Sequence, residues 1–294
     1  MSFHCVRRRS VLLLLLSALP WLFGAAVLLA PAQARAQGRA EALLLFEGVQ
    51  ARYQAAYAPG AVSRDAHQLL EPPDQAIAGK AFAALDRAAA RAFDVAASVE
   101  AIRQEVAVAG QGGGAAPGPQ VQAALARLAK LRADHAAMDE AAKAAFIQRQ
   151  HAKPADAVRT ELLQRMAVVE LREVDFSSQL LLGAVVKQLA RGNAGQYTAL
   201  PDATLDMALD TLWSRGVTSP RPRNLLIVAQ AFERQLAQAL LAALPDADAA
   251  ALLAWRSDAQ AGAEREALVG AYRAEVKASG AVAIRTLLRG WPRS

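Results

Sequence analysis

The chain has 294 residues, 54% of them apolar, a formal charge of +6 and one cysteine. Residues 1–36 carry four of its 33 basic groups (Arg7, Arg8, Arg9 and Arg35) and none of its 27 acids, so the remaining 258 residues balance 29 basic against 27 acidic groups, a net +2. That near-neutral remainder excludes a global case for nucleic acid, which needs arginine and lysine clustered on one face. With Cys5 the only cysteine, it also excludes disulfides and thiolate chemistry beyond residue 36.

Three arginines precede the uncharged run Val11–Ala30, which contains Leu12–Leu16 and ends in Pro31-Ala32-Gln33-Ala34-Arg35-Ala36. A positive start, an apolar middle and overlapping small-x-small sites predict an export signal over 1–36, cleaved after Ala36 or, as the alternative, after Ala34. The competing reading is an uncleaved anchor through 11–30, since about 20 apolar residues span a bilayer. Both place the arginines in the cytoplasm and the rest outside. Cys5 precedes the apolar run and so is not a lipoprotein cysteine. Arg8-Arg9-Ser10-Val11-Leu12 is similar to a twin-arginine signal, although a five-leucine core favours the general secretory route. The expected location is the periplasm, or the inner membrane facing it if 11–30 stays attached.

Alanine is the best helix former and is abundant throughout, while Val, Ile and Thr never alternate as strands require. The expected fold is therefore all-α, a helical bundle. Apolar residues at steps of three and four predict a first helix over Gly38–Tyr57. Pro59-Gly60 and Pro72-Pro73 mark Ala58–Asp74 as a loop. A long helix over Ile77–Ala109 and another over Val121–Gln150 carry alanine-rich seams and predict an antiparallel hairpin, with 111–119 as its flexible link. Ala155–Arg191 predicts one long helix, Pro201–Trp213 a short one and Gly216–Pro222 a turn. Arg223–Leu244 reads as amphipathic, burying Leu225, Val228, Phe232, Leu236 and Leu240. Asp246 caps a further helix that buries Leu252, Leu253 and Trp255. Glu264–Leu288 closes the chain, with Leu268, Tyr272, Val276 and Ile284 inward. Lys153-Pro154 divides an N-terminal helical region (37–153) from a C-terminal bundle (154–294).

The chemistry-bearing groups are few. His67, His135 and His151 lie in no metal-ligand spacing. His135 shares a helical face with Asp139, but a histidine in the seam is the plainer account. Glu170, Glu173 and Asp175 cluster near Arg165 and Arg172 and read as a solvated charged face. No nucleophile elbow, phosphate-binding loop or dinucleotide fingerprint occurs. No catalytic residue, metal or cofactor is therefore expected. Arg215, Arg221 and Arg223 crowd a turn before a helix N-terminus, where cations oppose the helix dipole. They are candidates for holding an anion or an envelope partner, unless Asp206, Asp210 or Glu233 pairs with them. The apolar stretch containing Leu180, Leu181, Val185 and Leu189 is expected to be a core helix or, alternatively, the lining of a cavity for an apolar ligand.

Leu244-Pro245-Asp246 leading to Leu253-Ala254-Trp255-Arg256-Ser257 resembles in part the aromatic-x-Ser-Pro-x-Gly signature of a family of proteobacterial periplasmic helical proteins with no established activity. Asp258 stands in place of the proline and Gly262 falls two positions late, so the resemblance implies helical fold and compartment only. The function expected from these features is non-enzymatic: an exported envelope protein with a binding, chaperone or scaffold role, its partner an envelope protein or a lipid. The alternatives are a carrier of an apolar ligand and a hydrolase whose site is assembled from distant residues.

Overall fold

The computed structural model describes residues 34–291 apart from 59, 69, 71–73, 76–77, 111–115, 155, 193–199 and 216–219. Residues 1–33 of the expected export signal and 111–115 of the expected link lie outside the described residues. Those described are helical, with no strand among them.

Helix α1 covers 34–47 and α2 covers Val49–Tyr57. The single helix expected here is broken by Gly48, whose φ of 68° is left-handed, a conformation glycine adopts without steric cost. Within the expected loop at 58–74, α3 forms over Ala61–Gln68. The proline and glycine pairs bound this short helix instead of excluding it.

Each expected long helix is two helices. The segment 77–109 divides into α4 (Gly79–Ala92) and α5 (Val95–Ala109), because Asp94 turns extended and its carboxylate accepts from the Ala97 amide at 3.1 Å. The segment 121–150 divides into α6 (Pro119–Ala137) and α7 (Glu140–His151), where Asp139 accepts from the Ala142 amide at 2.8 Å. Ala155–Arg191 divides into α8 (Ala157–Arg165), capped by Asp156, and α9 (Val168–Ala190). In the first two cases the 3-4 apolar spacing continues across a break made by an aspartate cap, which spacing does not register, whereas the third break, at Met166–Ala167, has no side-chain cap.

Beyond them lie α10 (Asp202–Arg215), α11 (Pro220–Ala243), α12 (Asp246–Trp255) and α13 (Ala261–Gly290). Asp246 does not cap α12 as expected; it accepts from Arg159 at 2.8 Å. Leu268, Tyr272, Val276 and Ile284 of α13 are fully buried, as the periodicity predicts.

The expected hairpin is replaced by other partners. Helices α4 and α5 pack mainly on α13, whereas α6 packs on α12 and α11. The apolar helix α9 is the hub, touching α3, α4, α10, α11 and α13. Helices on both sides of Lys153-Pro154 share one core, which runs from Ala36 to Leu288. A buried ionic cluster joins its ends: Arg39 of α1 grips Glu264 of α13 through two bonds of 2.6 and 3.0 Å, and Arg256 donates to the same carboxylate at 3.0 Å.

Candidate functional site: an arginine-lined cleft

A cleft of about 390 Å³ opens between α2, α3, α6, α9 and α11. Helical spacing supplies each wall: Ala51, Arg52 and Ala55 from α2, Leu128, Arg132 and His135 from α6, Val168, Arg172 and Asp175 from α9, and Glu233, Leu236 and Leu240 from α11. The alanines of α2 hold this wall low. Met166 and Leu241 complete the apolar lining, and Arg64 of α3 lies at its edge. Four guanidiniums thus face three carboxylates, those of Glu47, Asp175 and Glu233.

Each charged group has its own environment. Asp175 is buried and its oxygens accept from Tyr272 at 2.7 Å, Arg52 at 3.1 Å and Tyr57 at 3.2 Å. This corrects the expectation of a solvated face: Glu173 is exposed and Glu170 pairs with Arg265, but Asp175 points into the protein. Burial raises the Asp175 carboxyl above its ordinary range despite Arg52 beside it, and raises the Tyr57 and Tyr272 phenols well above theirs. Arg52 also binds Glu233, so it bridges two acids; burial opposes its charge, but the two carboxylates outweigh that and raise its pKa. Around this floor Tyr57 stacks on Phe93 at 4.3 Å, and Tyr53 donates to Ser98 at 3.0 Å.

Arg132 closes α1. It donates to the carbonyls of Leu45 (2.7 Å) and Phe46, which end that helix. A Cβ on Gly48 would stand 3.0 Å from its Nε, so glycine serves both the turn and the close approach. Burial lowers the Arg132 pKa to about 10. Glu47 is buried in the same corner, one oxygen accepting from the Ala167 amide at 3.0 Å and the other without a partner. Desolvation lifts its pKa to about 7, although Arg256, Arg132 and Arg265 oppose the shift. Arg172 is half-buried, and it has no hydrogen bond or ion pair with another described residue.

The residues singled out by sequence are dispersed. His135 lines the cleft with its ring 5.5 Å from Phe146, its pKa lowered by burial; Asp139 is committed to capping α7. His67 packs against Phe82, and His151 lies on the surface near the Gln235 carbonyl. Among the described residues no three histidine, cysteine or acidic side chains gather as a metal site. Arg221 and Arg223 are exposed on the first turn of α11; the Arg215 side chain lies outside the described residues. Of the acids named as their candidate partners, Asp206 pairs with Arg285, Asp210 with Lys277 and Glu233 with Arg52. Leu189 is in the core and Val185 packs against it, while Leu180 is half-buried. Leu181 borders a groove of about 460 Å³ between α9, α10 and α13. The cleft residues Arg52, Arg132 and Glu47 escaped sequence reading because they are single charges in unremarkable helical stretches. The one available signal was Asp175, a lone acid at the edge of the long apolar face of α9. No protein-family model, curated protein or solved structure matches the chain.

Proposed function

We propose that this is an exported, non-enzymatic envelope protein that binds an organic anion in the arginine-lined cleft. The observation that carries the reading is Arg172: a half-buried guanidinium with no ion pair among the described residues, beside an apolar wall, in a cavity of about 390 Å³. A charge held partly out of water favours a counter-ion, and a carboxylate or phosphate is the group arginine holds best. The apolar wall of Met166, Val168, Leu236 and Leu240 suits a hydrocarbon body. The carrier alternative is thereby joined to the binding reading, with the ligand a charged amphiphile.

The test is calorimetric titration with decanoate and decanol, which share a tail and differ in charge. Decanoate should bind and decanol should bind at least about 10-fold more weakly, as expected for a charge-assisted bond of about 1.5–3 kcal/mol. Arg172→Gln should erase that preference. Equal affinity for the two ligands, or an unaltered preference in the variant, refutes the reading. N-terminal sequencing of the same preparation tests export: a start at Gln37 or Arg35 supports it, and a retained Met1 supports the anchored alternative.

A hydrolytic role gains one observation, since Arg52 draws Asp175 and Glu233 together in a cleft that also holds His135. Among the described residues, however, the cleft lining includes no serine, threonine or cysteine, and three donors already occupy Asp175.

A further inference from the structure

The first half of α11 departs from expectation. Leu225 (36%), Val228 (51%) and Phe232 (66%) are exposed, where the spacing predicted burial. They are not scattered: together with Phe176 of α9, which is buried, they line a second groove of about 450 Å³. Arg172, Glu233 and Leu236 line both this groove and the arginine-lined cleft. The two hollows are therefore neighbours along α11, and Arg172 stands where they meet.

The order of the lining residues fixes the arrangement. Along α11 the groove takes Leu225, Val228 and Phe232, the junction takes Glu233 and Leu236, and the cleft takes Leu240 and Leu241. Along α9 the order reverses: Val168 lines the cleft, Arg172 both hollows and Phe176 the groove. At 1.5 Å per residue, Leu225 and Leu240 stand about 22 Å apart on the helix axis, with the junction between them.

An anion paired with Arg172 thus has its head between two apolar compartments rather than at the end of one. Glu233, the acid at the junction, is already bound by Arg52. A single chain leaving the head fills one compartment. The cleft, walled by five helices, covers a chain on more sides than a groove between α9 and α11, so it fills first. Val228 and Phe232 then remain in water, and only a second chain on the same head would cover them. The hollows, about 390 and 450 Å³, are similar in size, as two similar chains require.

We infer that the ligand is a two-chain anionic lipid, its head held by Arg172, one acyl chain in the cleft and the other in the groove against Phe176, Val228 and Phe232. This rests on the reading of the cleft as an anion site and adds to it the number of chains.

Calorimetric titration of the full chain with dioctanoylphosphatidate and octanoyl-lysophosphatidate, below micelle-forming concentrations, compares two chains with one on the same head. The two-chain ligand should bind at least about 10-fold more tightly, a ratio that burial of two further methylenes supplies. Phe232→Ser changes an exposed side chain outside the cleft. It should weaken dioctanoylphosphatidate about 5-fold and leave octanoyl-lysophosphatidate and decanoate unchanged. Equal affinity for the two phosphatidates overturns the inference, as does a variant that weakens one- and two-chain ligands alike or neither. So does a lipid-free dimer in sedimentation that Phe232→Ser dissociates, which would identify a second copy of the chain as the cover of the groove. If decanoate fails to bind, the anion site falls and the two-chain ligand with it; if decanoate binds and the second chain adds nothing, only the two-chain ligand falls.

Discussion

Glu47 couples the protonation of the cleft to the stability of the fold. Its carboxyl is buried with one oxygen unpartnered, and its pKa stands at about 7 against an ordinary value of 4.5. A carboxyl whose folded-state pKa is raised contributes stability that is complete below pH 4.5 and is lost as pH rises through 7. Glu47→Gln should remove this dependence and raise stability at pH 8 by on the order of 2–3 kcal/mol, from 1.36 kcal/mol per pKa unit. Urea denaturation at pH 5 and pH 8 checks it, and equal gains at both pH values would exclude titration of Glu47 as the cause. Because Glu47 lines the cleft, its ionisation also adds a negative charge there, so wild-type affinity for decanoate should fall between pH 6 and pH 8 and that of the variant should not. Little of this was legible in sequence. Glu47 follows Phe46 and precedes Gly48 as an ordinary helix-end residue, and only the approach of α6 and α9 from far along the chain removes water from it. Asp175 misled for a related reason. Local spacing places it near Arg172, but the partners that matter are Arg52, Tyr57 and Tyr272, each about a hundred residues or more away.

At the scale of the helix, apolar periodicity located nearly every helical segment but not its interruptions. The stretches 77–109 and 121–150 each keep their seam through a break, because a capping aspartate costs the pattern only one or two positions. Asp94 and Asp139 were visible as residue types; that they sit in extended backbone is decided by the helices they join. Asp139→Ala removes the bond to the Ala142 amide and should destabilise the protein by about 0.5–2 kcal/mol. Asp139→Asn should keep most of that stability, since the amide oxygen still accepts, and thermal denaturation of the pair separates capping from charge. Helix α11 shows the opposite error. Its pattern predicted one continuous buried face, yet Leu225, Val228 and Phe232 are exposed while Leu236 and Leu240 pack into the core. A hydrophobic pattern marks what avoids water, not which surface covers it.

Over the whole molecule, the all-helical class followed from composition, whereas the pairing of helices did not. Alanine seams are interchangeable, so nothing in them states that α5 prefers α13 to α6. Pairing is marked instead by buried ions, above all Arg39, Glu264 and Arg256. Glu264→Ala leaves two guanidiniums buried with fewer acceptors and should cost about 3–5 kcal/mol. Glu264→Met combined with Arg256→Met should cost less than the sum of the single changes, and a double-mutant cycle in urea measures the difference. The Arg39–Glu264 link spans 225 positions of sequence. Helix α1 finds its other neighbours late as well: Glu47 meets Ala167, and Phe46 meets Trp255. The first described helix is therefore completed only by residues from far along the chain. During synthesis the Arg39 charge gains its acceptors only when Asp258 and Glu264 are made, and the Phe46 ring meets Trp255 as late, so the start of the fold closes near the end of its production. A chain that cannot close early remains thin enough to be threaded through a membrane pore.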